Sequence, residues 1–114
     1  MGMGSTARRS RSGGGRLMNF WQLKVFCTVV HAKSLSGAAR LLYVTQPAIS
    51  AQVLALEKHL GTQLLRRHRH GVSLTRSGQI VYDYASRMLN TLEDMERAVS
   101  TEALRDPLAR SGSS

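Results

Sequence analysis

Residues 36–60 read SGAARLLYVTQPAISAQVLALEKHL, and this stretch decides the architecture of the chain. Ser36 to about Leu42 has the composition of a short helix capped by Ser36, and Tyr43-Val44 makes a tight turn. Small Ala38 and Ala39 let another helix cross closely, while Leu35, Leu41 and Leu42 supply apolar contacts. Thr45 then caps a longer helix. Val44 and Ile49 have the spacing of a hydrophobic staple, and Pro47 falls in the first turn, where a missing N–H costs nothing. Ile49, Val53, Leu56 and Leu60 form an inner stripe; Gln46, Pro47, Ser50, Ala51, Leu54 and Lys58 lie opposite it, and Gly61 ends the helix. Two helices joined in this way form a helix-turn-helix, whose second helix can enter the major groove of DNA.

The flanking sequence extends that unit in both directions. Upstream, Phe20, Leu23, Phe26 or Cys27, and Val30 recur at helical spacing behind Asn19 as N-cap, predicting a first helix over about 19–32. His31 at its end reads as a surface or capping residue. Downstream, LLRRHRHGVSL (64–74) holds two short extended pieces, around 64–67 and 72–74, about a basic tip. This is a β-hairpin, the wing of a winged helix-turn-helix. Thr75 caps a last helix of about 76–99. On it Ile80, Tyr84, Met88, Leu92, Met95 and Val99 form one apolar stripe, and Val81, Ala85 and Leu89 a second beside it. One stripe can rest on the domain; the other needs a partner. Asp83, Arg87, Asn90 and Asp94 are expected to face water.

Composition narrows the function. The chain has 114 residues and a net charge of +9. Residues 1–17 carry four arginines and no acid; residues 18–80 carry eight basic side chains against Glu57 alone, a net +7; residues 81–114 carry four basic and six acidic residues. The predicted domain therefore makes its own positive field, which attracts polyanions. Residues 1–17, rich in Gly, Ser and Arg, read as a disordered basic leader or extension with Met18 as a second start, and 100–114 as a frayed tail. No apolar run reaches the roughly 20 residues of a membrane span, and no secretory signal is expected. The single Cys27 cannot form an internal disulfide and is expected to be a buried structural thiol. Paired carboxylates, a phosphate-cradling glycine loop and a nucleophile–base arrangement are all missing, so an enzyme is not expected.

From Met18 to about Val99 the sequence resembles the N-terminal DNA-binding region of LysR-type transcriptional regulators. The opening MNFWQLKVF, the block SLSGAARLLYVTQPAISAQVLALEKHLGTQLL and the segment VSLTRSG carry the resemblance, in order and at these spacings. It implies a mainly α fold: a winged helix-turn-helix over 18–75, built of three helices and a short β-hairpin wing, followed by a long dimerising linker helix over 76–99. It also implies a C-terminal effector-binding domain of periplasmic-binding-protein type in full-length members. That domain is expected to be absent here, leaving any small-molecule effector to it. A homodimer is implied, with a tetramer as the larger assembly of the full-length protein, working in the bacterial cytoplasm at the nucleoid.

Geometry and the family pattern select the same reading residues. The exposed start of a recognition helix reaches base edges, which selects Gln46, Pro47 and Ser50: Gln can bond adenine bidentately, Ser either base, and Pro47 can touch a thymine methyl. Thr45, as N-cap, and the wing cluster Arg66, Arg67, His68, Arg69 and His70 are expected at the DNA backbone or minor groove. His68-x-His70 lacks the further ligands that zinc needs, so neither a metal nor a cofactor is expected. The apolar stripe Ile80, Tyr84, Met88, Leu92, Met95 and Val99 is the expected dimer interface. Two departures stand out. Many relatives have Arg or Lys after the recognition-helix Ser and again three residues on, where this chain has Ala51 and Leu54; many have Glu where it has Arg66. The expected function is sequence-specific double-stranded DNA binding by a homodimer on an interrupted palindrome, with weaker base discrimination and more backbone contact than usual. The alternative is a non-specific, chromosome-associated DNA binder; a winged-helix protein-interaction module fits the +7 domain less well.

Overall fold

Over residues 18–106, which the computed structural model describes, the order is α1 (Phe20–Ala32), α2 (Leu35–Leu42), α3 (Gln46–Leu60), β1 (Leu65–His68), β2 (Gly71–Leu74) and α4 (Arg76–Arg105). The expectations for residues 1–17 and for 107–114 lie outside the described residues. Every helix starts on a side-chain oxygen that replaces a missing backbone partner. The N–H groups of Gln22, Gly37, Ala48 and Gly78 donate to Asn19, Ser34, Thr45 and Thr75 over 2.8–3.2 Å. Each such cap contributes about 1 kcal/mol. Three of the four are the expected residues. The second helix begins on Ser34 rather than Ser36, which makes Leu35 its first residue and buries it.

α1 is the central element, packed by α2, α3, α4 and β2. That setting explains why its buried face is wider than a single stripe. Leu23, Val25, Phe26 and Val29 are buried, whereas Phe20, expected inside, is 49% exposed. Ala38 and Ala39 of α2 are buried in the same core as Ile49, Val53 and Leu56 of α3, so their small size brings the helices close. Leu41 and Leu60 do not join it and lie exposed. The turn between α2 and α3 passes through Tyr43 in left-handed backbone (φ 58), with the Val44 N–H donating to the Ala39 carbonyl at 3.0 Å.

The wing is a two-stranded antiparallel sheet pairing Leu65 with Leu74, Arg66 with Ser73, Arg67 with Val72 and His68 with Gly71. It starts one residue later than expected, because Leu64 is fully buried and its carbonyl is used to fasten the far end of the hairpin: the Thr75 N–H donates to it at 3.0 Å. The Thr75 hydroxyl also donates to the Gln63 carbonyl at 2.7 Å. Gly78 completes the joint; a Cβ there would collide with the Leu64 carbonyl oxygen. This gives the VSLTRSG segment a physical meaning, with Thr75 as cap and lock and Gly78 as the point of closest approach. The wing's other end rests on the α1–α2 turn, where the Val72 N–H donates to the Lys33 carbonyl at 3.3 Å.

α4 runs 30 residues, a rod of about 45 Å. It continues six residues past the expected end at Val99, so residues 100–105 are helical rather than frayed. Ala85 is buried, and Val81 and Tyr82 pack against the core.

Candidate nucleic-acid interface

The start of α3 is anchored from beneath and open from above. Ile49 is fully buried, and Val44 packs against the same core. With the helix pinned there, Pro47 is exposed and Gln46 and Ser50, one turn apart, are half-buried. Thr45 is exposed, but its hydroxyl oxygen is occupied by the Ala48 N–H at 3.2 Å. That hydroxyl keeps a proton to donate, so capping and a phosphate contact are compatible. The three expected base-reading residues therefore share one open helix turn.

Arg66, Arg67, His68, Arg69 and His70 are all exposed. Leu65 alone of β1 is buried, Arg66 to His68 project beyond the core and are exposed, and Arg69-His70 form the two-residue tip between the strands. Among the described residues no three His, Cys, Asp or Glu side chains come together as ligands for a metal ion.

Glu57 has a role that sequence reasoning missed. It is the only acid in residues 18–80, and its Oε2 accepts from the backbone N–H groups of Leu64 (2.8 Å) and Leu65 (3.2 Å). Charge-assisted bonds of this kind contribute roughly 1.5–3 kcal/mol each. One oxygen of the carboxylate thus ties the root of the wing to α3. Its isolation among basic residues, seven positions before a buried leucine, is the signal that could have found it.

Along α4, Ile80, Tyr84, Met88, Met95 and Val99 are exposed and Leu92 is half-buried, while Ala85 of the adjacent stripe is buried. Tyr84, Met88, Leu92 and Met95 line an open groove of about 580 Å³ whose opposite wall is Phe20. Phe20 was expected in the core; its exposure places it on this surface instead. Arg87 lies over the Tyr84 ring at 4.7 Å. Asp83, Arg87, Asn90 and Asp94 are exposed, as expected.

Cys27 is half-buried rather than buried. Burial pushes its thiol above the ordinary range, while a hydrogen bond with Ser86 and the nearby Lys24 charge pull the other way. A thiol held protonated is a poor nucleophile. No helix among the described residues is long and apolar enough to cross a membrane.

A three-helix core, a basic hairpin and a long helix with an open apolar stripe define a winged helix-turn-helix protein with an extended C-terminal helix. The chain belongs to the LysR family of bacterial regulatory helix-turn-helix proteins, whose family model matches residues 20–79. It is 44% identical over 82 residues to the nitrogen assimilation regulatory protein nac of Escherichia coli (strain K12), covering 72% of this chain and 27% of that protein. The chain therefore spans a little over a quarter of that relative's length. Among solved structures it is similar to the CbnR DBD–DNA complex, at 37% identity and TM-score 0.69 over 75% of this chain and 99% of that one. The BenM DBD/catB site 1 DNA complex gives 35% identity and TM-score 0.72, over 75% and 97%.

Proposed function

We propose that this chain is the DNA-reading part of a bacterial transcriptional regulator, binding double-stranded DNA in a sequence-specific manner as a homodimer on an interrupted palindrome. One observation carries the reading: the open helix turn with Gln46, Pro47 and Ser50 and the fully exposed basic wing belong to one small domain, in which Glu57 of α3 accepts from the Leu64 and Leu65 N–H groups at the root of the wing. Residues 18–75 would form the DNA-binding unit. Gln46, Pro47 and Ser50 would contact base edges; Thr45, Arg66, Arg67, His68, Arg69 and His70 would hold phosphates or the minor groove. Residues 76–99 would serve as the linker helix, with Ile80, Tyr84, Met88, Leu92, Met95 and Val99 pairing across a two-fold axis. Phe20 extends that apolar surface. Two such chains would present their recognition helices to successive major grooves about one helical turn apart. Effector sensing is assigned to protein outside these residues, and the place of work to the bacterial cytoplasm, at the nucleoid.

The similarity to two protein–DNA complexes at 35–37% identity supports the reading. Its test is a competition at physiological salt between random DNA and a site selected from a random library. The expected preference for the selected site is about 10³-fold or more. Equal affinity would replace sequence-specific reading with non-specific coating of DNA.

A further inference from the structure

Building on the proposal that α3 enters the major groove, we propose that Leu54 and Ala51, together with Pro47, form an apolar strip that reads thymine methyl groups. Specificity would then extend beyond Gln46 to Ser50, through contacts that use no hydrogen bond. Pro47, Ala51, Leu54 and Lys58 are spaced by four, three and four residues along α3 and so share one face. All four are exposed, Leu54 at 57%. The inner stripe of Ile49, Val53 and Leu56 is buried on the other side, so Leu54 takes no part in the core. Leu54, Ala51 and Ala55 instead line a surface depression whose far end is made by Glu57, Lys58 and Gly61 to Gln63.

Three arguments commit this strip to DNA. The first is reach. From Gln46 to Leu54 the helix rises about 12 Å, comparable with the roughly 12 Å width of the major groove, so a helix seated by its first turn keeps Leu54 among base edges. The second is charge. Lys58 continues the same face, residues 18–80 carry eight basic side chains against Glu57 alone, and one oxygen of that carboxylate accepts from the Leu64 and Leu65 N–H groups. An apolar strip in that positive frame is complementary to a polyanion. The third is chemistry. Leucine and alanine side chains neither donate nor accept hydrogen bonds, and the one apolar group that a base pair presents in the major groove is the thymine methyl.

The test uses the full 114-residue chain and its selected binding site, replacing each thymine singly by deoxyuridine, which removes only the methyl. At one or more thymines outside the Gln46 contact, each replacement is expected to weaken binding about fourfold, the value of one buried methyl-sized group. With Leu54→Ala the penalty at those positions should fall below about twofold, while Gln46→Ala should leave it intact. Leu54→Arg, the charged alternative at the same exposed site, should raise affinity for all DNA and abolish the uracil penalty. A selected site without thymines there, a uracil penalty that survives in Leu54→Ala, or no penalty at all would overturn the proposal. So would a changed sedimentation mass in Leu54→Ala with uracil sensitivity untouched, which would make the strip a protein contact. Failure of the DNA-reading proposal itself looks different: the wild-type chain would select no sequence.

Discussion

α3 and α4 are both amphipathic helices with apolar residues at the same period, yet they end in opposite states. α3 is 15 residues long and puts Ile49, Val53 and Leu56 into the core, and its outer face is a narrow strip of Pro47, Ala51, Leu54 and Lys58 beside half-buried Gln46 and Ser50. α4 is twice as long, buries only Gly78 and Ala85, and leaves Ile80, Tyr84, Met88, Met95 and Val99 exposed. The periodicity of a helix therefore tells which face is apolar but not whether the chain itself covers it. What separates the two is the supply of neighbours: α3 meets α1 and α2, whereas α4 is a rod of about 45 Å of which only the first part, through Val81, Tyr82 and Ala85, rests on the domain. A stripe saturated at home leaves its opposite face free to recognise something. An unsaturated stripe is itself the recognising surface.

The largest expected effect sits on the saturated stripe. Leu56→Ala should cost about 2–5 kcal/mol of folding stability, read by chemical denaturation, because a fully buried leucine leaves a cavity between α3 and α1. A loss under 1 kcal/mol would mean that the α3 core is loosely packed and would erase the contrast. On the open stripe a charge should do little to the fold and much to assembly. Met88→Glu with Leu92→Glu should convert the proposed dimer to a monomer at micromolar concentration in sedimentation, with the thermal midpoint of the monomeric domain close to that of the parent. An unchanged mass would move the interface elsewhere. The smallest effects should divide helix from wing. Gln46→Ala should lose about 1–3 kcal/mol on the selected site and little on random DNA. Arg67→Ala should weaken both alike and reduce the slope of log K against log salt by about one. An identical pattern for the two variants would show that α3 holds rather than reads.

Much of this was legible in the chain. Asn19, Thr45 and Thr75 announce their helices because each has an acceptor oxygen ahead of an apolar period, and the Gly61 stop and the hairpin follow from equally local chemistry. Ser36 misled because Ser34 offers the same cap two residues earlier, and the choice between them turns on burying Leu35. Phe20 fits a helical period from either side of the helix; the position of α4 sends it outward. The end of α4 was set too early at Val99, where the stripe fades. Between Val99 and Pro107 no glycine or proline interrupts the chain, and the residue before a proline resists helical backbone, so the helix continues to Arg105. At the interface, exposure of the wing cluster was readable from a run of charged side chains at a hairpin tip, and that of Pro47 from its place in the first turn opposite the inner stripe. The engagement of Glu57 with Leu64 and Leu65 was not, since it depends on how the hairpin folds back against α3.

The joint at Thr75 also sets a gear ratio. Leu64, Gln63, Thr75 and Gly78 are tied by two hydrogen bonds and one close backbone approach, so the wing and the first turn of α4 move as one piece. If two α4 rods pair near Val99, a change of about 10° in their crossing would carry each wing about 6 Å, from about 24 residues of helical rise. That is close to two base-pair steps along the duplex. Small adjustments made far from DNA would then be delivered to it as a change in spacing, with the α4 rod as lever and the Thr75 lock as its wrist.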